Sequence, residues 1–287
     1  MNYERVSIPI LTSVSGVSAS RKAWFCDVWG VLHDGVTVFQ PAVRACLKFR
    51  ERGGQVILIS NSPRPTQGVL GLLDSLGVPR ECFDALVTSG DVTRALVAAD
   101  LDKPMFHLGP ERDRSFFDGL AVKFVPVEQA EIVVCTGFFH EERETPEDYD
   151  GMLATLAERH ATMICANPDL VVERGHQLLP CAGALAARYG ALGQTVIQAG
   201  KPYRPIYDLA MQKLATPLPR ADILAIGDGI DTDIKGASAF GIDAIYIVSR
   251  VHIQKDADRL SMETKGLEDV FSERPFRPIG ALARLAW

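Results

Sequence analysis

Residues 23–35 read AWFCDVWGVLHDG. A short apolar run ends on Asp27, and Gly30 follows three residues later. Such a run is a strand buried on both faces of a parallel sheet, with its carboxyl end opening into a loop. QVILIS (55–60), DILAIG (222–227) and GIDAIYIV (241–248) have the same form. Between the first two lies QPAVRACLKFRERGG (40–54). There Pro41 suits a first helical turn, Ala42, Val43, Cys46 and Leu47 mark an apolar face, and Gly53-Gly54 ends the helix. PTQGVLGLLDSLG (65–77) and RPIYDLAMQKLA (204–215) repeat the helical period. Strand–helix–strand alternation predicts an α/β fold with a parallel sheet and helices on both faces.

The middle of the chain carries its own alternation. Predicted strands are ALVT (85–88), PMFHL (104–108), EIVVC (131–135), ATMIC (161–165) and TVIQA (195–199). Predicted helices are GDVTRALVAA (90–99), TPEDYDGMLATLAERH (145–160) and AGALAARYGA (182–191). The domains expected are a core of residues 1–84 and 197–287 and an inserted α/β domain of residues 85–196.

The 287 residues carry a net charge of −6 with 47% hydrophobic and 23% charged residues, an ordinary globular balance. No basic run is present to neutralise phosphates along a polymer, so no nucleic-acid partner is expected. No stretch approaches the ~18 apolar residues of a membrane span, and the N-terminus MNYERVSIPILTSVSG has no signal-peptide pattern. The six cysteines are widely spaced with no CxxC pair and read as buried, reduced thiols. The expectation is a cytoplasmic protein with no membrane partner.

Four positions bear chemistry, and each follows a predicted strand or opens a helix. They are Asp27, Ser60 with Asn61 and Ser62, Lys201 in QAGKPYRPIYDLA (198–210), and Asp228 with Asp233 in GDGIDTDIKGA (227–237). Taken singly each has a plain alternative: an Asp caps a turn, a Ser starts a loop, a Lys sits in solvent. Taken together they converge, because ligands bind outside the carboxyl ends of the strands of an open parallel sheet. Clustered carboxylates repel, and a hard cation with oxygen ligands removes that conflict; Mg2+ suits it. A carboxylate can also attack phosphorus and form an aspartyl-phosphate. Ser60 could then bond the transferring group and Lys201 balance its charge.

In this order the motifs resemble those of the haloacid dehalogenase (HAD) superfamily. ISNSP (59–63), ANPDLV (166–171), AGKPYRPIYDLA (199–210) and GDGIDTDIKGA are similar to subclass IIA, whose large α/β cap lies between the second and third motifs. That branch includes phosphatases of para-nitrophenyl phosphate, pyridoxal phosphate and sugar phosphates. The resemblance implies a HAD-like Rossmannoid parallel-sheet core with an inserted α/β cap domain. It implies Asp27 as nucleophile, Ser60 and Lys201 as catalytic partners, and a Mg2+ site formed by Asp27, the Trp29 carbonyl, Asp228 and Asp233. It implies substrate contacts from Asn61, Asn167, Asp169 and His176, a small phosphorylated substrate, and a homodimer through the cap.

Trp29 departs from the pattern, since the family's phosphatases usually carry a general acid/base Asp there. Loss of such a group typically costs about 10²–10⁴ in rate. One reading is a phosphohydrolase with altered proton handling, using a good leaving group or a substitute acid such as His33. The other expectation for His33-Asp34 is a solvated hairpin tip. A second reading is a catalytically weak protein that holds a phosphorylated ligand. A third is a metal-free dehalogenase, which tolerates an aromatic at this position but has little use for the Asp228–Asp233 pair. In the cap, Phe138 and Phe139 could stack a ring or pack a core, and Arg174 with His176 could bind an anion or lie exposed. Gly90 and Gly200 lie near the predicted crossings and read as hinges.

Overall fold

The structure, a computed structural model, describes residues 7–174, 177–248 and 264–287. Its strands are β1 (Ala23–Asp27), β2 (Gln55–Ser60), β3 (Ala85–Thr88), β4 (Met105–Leu108), β5 (Ile132–Cys135), β6 (Thr162–Cys165), β7 (Val171–Arg174), β8 (Gln177–Pro180), β9 (Val196–Gln198), β10 (Ile223–Gly227), β11 (Asp243–Ile247) and β12 (Gly280–Leu282). The chain divides into two compact units. One comprises 1–59, 76–85 and 210–287, the other 60–75 and 86–209.

The first unit carries β12, β11, β10, β1 and nearly all of β2 from a six-stranded sheet of order β12-β11-β10-β1-β2-β3. Every residue of β1 is buried, as an apolar run flanked by strands on both sides requires. Its neighbours β2 and β10 both run parallel to it, with Asp27 in register with Ile59 and Cys26 with Ile226. Trp24 anchors the strand: it stacks on Phe49 at 4.1 Å between centroids, and its indole N–H donates to Ser18 Oγ at 3.1 Å. Phe49 comes from the helix Gln40–Glu51, which begins with Pro in its first turn and buries Ala42, Val43, Ala45, Cys46 and Phe49. The strand 85–88, grouped by sequence with the inserted segment, pairs at the edge of this sheet, while residues 86–209 fall in the second unit. Its apolar run is equally compatible with either sheet, and only pairing decides between them.

The second unit carries the parallel sheet β4-β5-β6-β9 and the antiparallel hairpin β7-β8. Alternation along the strands gives the sheet two apolar faces. Val133, Cys135, Met163 and Cys165 join one core with Tyr149, Leu153, Leu156, Leu185 and Tyr189. Ile132, Val134 and Ile164 join the other with Val97, Phe116 and Phe117. Helices Asp150–Glu158 and Ala182–Ala191 thus cover one face, and Ser89–Ala98 with the turn Glu111–Phe117 covers the other. The six cysteines are free and buried. No helix among the described residues is long and apolar enough to cross a membrane.

Candidate active site

In the first unit, β1 and β10 are parallel neighbours, so the loops after Asp27 and Gly227 leave from the same, carboxyl end of the strands. Asp27, Asp228 and Asp233 each offer a carboxylate oxygen there, and these oxygens lie within 4.8 Å of one another. Asp27 and Asp233 are buried and Asp228 half-buried. Three carboxylates at this spacing are all hard oxygen donors, and their mutual repulsion is relieved by a divalent cation. The residues therefore fit such an ion.

Glycines bring the carboxylates in. Gly30 has φ +89°, and a Cβ there would lie 2.2 Å from Asp228 Oδ2. A Cβ on Gly227 would lie 2.1 Å from Asp233 Cγ. Asp233 is held locally as well: its Oδ2 accepts the Gly229 N–H at 3.0 Å, and its own N–H donates to Gly229 O at 2.8 Å. It sits in a π-turn, Ile230–Ile234, that leads into the helix Lys235–Phe240. Such wide turns recur at functional sites. Sequence reading found the carboxylates but not these glycine contacts. The one signal was that a glycine follows both Trp29 and Ile226.

Trp29 and His33 are paired through a backbone bridge, His33 pairs in turn with Val38, and the Gly30 N–H donates to His33 O at 2.7 Å. His33 is therefore not at a solvated tip: it is completely buried. Its Nδ1 accepts the Gly35 N–H at 2.9 Å, which places the ring proton on Nε2. Nε2 has no hydrogen-bond partner among the described residues. Burial pushes the imidazole down to about 4, against a smaller opposing pull from Asp34, so His33 is neutral near pH 7. A buried, neutral imidazole with one nitrogen occupied is poorly suited to the substitute-acid role. Asp34 is half-buried and forms the turn, its Oδ1 accepting the N–H groups of Val36 at 3.0 Å and Thr37 at 2.6 Å.

The second unit gathers Ser60, Asn61, Asn167, Asp169 and Lys201. Ser60, Asn61 and Lys201 are all buried. Asn61 ties this group together: its Nδ2 donates to Asp169 Oδ1 at 3.0 Å and to Lys201 O at 3.1 Å, and its Oδ1 accepts the Lys201 N–H at 2.7 Å. Asn167 Oδ1 accepts the Asp169 N–H at 3.1 Å, and Ser60 Oγ accepts the Ser62 N–H at 3.1 Å. Gly200 is needed for closeness, because a Cβ there would meet Asn61 Oδ1 at 2.4 Å. Gly90 likewise passes the Pro63 carbonyl, at 2.4 Å from a Cβ. Both glycines read as hinges are thus positions of close approach.

Other cap expectations resolve differently. Phe138 is fully buried in the core of its unit, while Phe139 is half-buried and packs against that core, so the two do not form a paired stacking platform. Arg174 pairs with Glu141 at 2.9 Å and Glu142 at 3.5 Å, so carboxylates already neutralise it. His176 lies outside the described residues.

A parallel α/β core with three carboxylates converging at its strand ends defines a class of protein with the oxygen donors for a divalent cation at the place where such sheets bind ligands. The family model for haloacid dehalogenase-like hydrolases matches residues 24–123, and a second HAD-hydrolase-like model matches residues 198–270. A crystal structure of a haloacid dehalogenase-like hydrolase from Brucella suis is 42% identical, with a TM-score of 0.86, over 96% of this chain and 100% of that one. The chain belongs to the haloacid dehalogenase-like hydrolase family. An acid sugar phosphatase of Staphylococcus saprophyticus is 24% identical over 88% of this chain and 97% of its own length. That of Staphylococcus haemolyticus is 35% identical over 34% of this chain, and the match spans only 38% of the relative.

Proposed function

We propose that this protein is a magnesium-dependent phosphohydrolase that acts on a small phosphorylated metabolite through an aspartyl-phosphate. The observation that carries this reading is the cluster of Asp27, Asp228 and Asp233 oxygens within 4.8 Å. The names of the acid sugar phosphatase relatives support a phosphate monoester as substrate.

Asp27 is the nucleophile: a carboxylate oxygen attacks phosphorus and the bond to the leaving oxygen breaks. Water then attacks the phosphorus of the aspartyl-phosphate, and the bond to Asp27 breaks to release phosphate and restore the carboxylate. Ser60 orients the phosphoryl oxygens and Lys201 balances the charge that develops on them. Asp27, Asp228, Asp233 and the Trp29 carbonyl would hold the metal, with Asn61, Asn167 and Asp169 supporting the substrate side. Bound magnesium would screen the carboxylates and polarise a phosphoryl oxygen. The three-carboxylate cluster also weighs against a metal-free dehalogenase.

The test is phosphate release by the purified protein, with and without magnesium, from para-nitrophenyl phosphate, acetyl phosphate and glycerol phosphate. Magnesium-dependent multiple turnover on at least one is expected. A single burst of enzyme phosphorylation without turnover would instead favour a phospho-ligand-binding protein.

A further inference from the structure

We propose that Trp29, two residues after Asp27 and clamped by His33 and Gly35, is a specificity-determining residue that limits fast turnover to aryl, enol and acyl phosphates, whose leaving groups depart as stable anions, over esters of simple alcohols. This rests on the phosphohydrolase reading above.

The loop that follows Asp27 contains no group placed to give up a proton. Across residues 28–39 the only ionisable side chains are His33 and Asp34. His33 is fully buried with Nδ1 occupied by the Gly35 N–H, and Asp34 is turned onto the N–H groups of Val36 and Thr37. What the loop presents two residues after Asp27 is the half-buried Trp29.

The indole is fixed in place. Its ring meets the His33 imidazole at 5.1 Å between centroids and 69°, within the range of edge-to-face pairs. The backbone pairing of Trp29 with His33 holds both rings to the same small loop. On another side the six-membered ring lies against Gly35, where φ is +86° and a Cβ would come 2.5 Å from both Cη2 and Cζ2. Any residue other than glycine at 35 would displace the indole. The buried Nε2–H of His33, without an oxygen or nitrogen acceptor among the described residues, is unusual unless its place beside the indole is what the position requires. His33 is a positioning residue in this account, acting through Trp29.

The chemistry follows. As Asp27 attacks, the electron pair of the breaking P–O bond leaves with the oxygen, and no proton arrives from this loop. A nitrophenolate, enolate or carboxylate carries that pair unaided and takes a proton from water later; an alkoxide does not. In the second step the attacking water loses its proton to solvent or to a phosphate oxygen.

The experiment is kcat/KM over phosphates of graded leaving-group acidity, from acetyl and nitrophenyl through phenyl to glycerol phosphate. It uses wild type, Trp29→Asp, Trp29→Phe, His33→Ala, His33→Asn and Gly35→Ala. The same proteins labelled with 5-fluorotryptophan give a fluorine NMR signal for position 29, assigned by its absence from Trp29→Phe. In wild type a fall on the order of 10²–10⁴ from the best to the poorest leaving group is expected. Trp29→Asp should flatten that dependence and Trp29→Phe should keep it. His33→Ala and Gly35→Ala should shift or broaden the Trp29 signal, and His33→Asn, which retains an acceptor for the Gly35 N–H, should restore it. Similar wild-type rates on nitrophenyl and glycerol phosphates would overturn the inference while leaving the phosphohydrolase reading intact. An unmoved Trp29 signal in both His33→Ala and Gly35→Ala would overturn the clamp. A wild type inert on the whole series would overturn the phosphohydrolase reading and this inference with it. If Trp29→Asp fails to fold, the wild-type series and the NMR signal still decide the matter.

Discussion

Asp27 and Gly30 illustrate how a single position carries the site. Asp27→Asn keeps the shape of a buried side chain and removes the charge proposed to attack phosphorus, so phosphate release should vanish while the thermal transition is retained; a variant with full activity would remove Asp27 as nucleophile. Gly30→Ala has two costs. The left-handed backbone, φ +89°, disfavours a side chain by roughly 1–2 kcal/mol, and the new Cβ would collide with the Asp228 carboxylate at 2.2 Å. Gly53→Ala is the control, because Gly53 has φ +85° but nothing within 4 Å of a Cβ. Denaturant titration of both should show the larger loss at Gly30. Magnesium titration should show weakened binding at Gly30 alone, and equal effects would mean that the contact with Asp228 is unimportant.

Among the elements, β4 carries a buried histidine whose titration is readable in stability. His107 is 8% exposed, with Nε2 bonded to Thr136 Oγ1 at 2.8 Å. Burial chiefly, and the Arg114 charge secondarily, lower it from 6.5 to about 4. The folded state thus binds this proton later than the unfolded chain does. Its contribution is complete above about pH 6.5 and is lost as pH falls toward about 4, a change on the order of 3 kcal/mol. Asp113, on the turn Glu111–Phe117, is shifted upward mainly by burial and acts in the opposite sense. It opposes the His107 effect at the acid end, because its folded form binds a proton earlier than the unfolded one. Calorimetry from pH 7 to pH 4 should show a falling transition temperature, with a shallower slope in His107→Gln. An unchanged slope would mean that the ring is protonated in the native state.

At the scale of the whole molecule, an ion that binds only the folded carboxylate cluster should stabilise the chain by mass action. At a magnesium concentration about 100-fold above its dissociation constant the gain is about 2.7 kcal/mol, visible as a raised transition temperature. Asp228→Asn and Asp233→Asn should abolish that gain, because each removes one charged oxygen donor from the cluster. A variant that still responds to magnesium as wild type does would exclude its carboxylate as a ligand.

The strands of the core were legible because a fully buried strand writes itself as an unbroken apolar run: QVILIS at 55–60 is β2 to the residue. The places of Asp27, Ser60 and Asp228 at or just past strand ends were legible for a related reason, since strand ends are where such runs stop. Partner choice was not. ALVT at 85–88 has the same composition whichever sheet it joins, and hydrogen bonding placed it at the edge of the first. Arg174 reads as a free cation until Glu141, more than thirty residues away, neutralises it. His33 reads as a turn-tip residue until the loop folds back on Trp29 and buries it. Local hydrophobic period and motif order are properties of the chain, so the strands, the residues at their ends and the family were readable without coordinates. Which carboxylates meet, which charges are already paired and what Trp29 leans on came from the folded chain, because burial and pairing are set by residues distant in sequence.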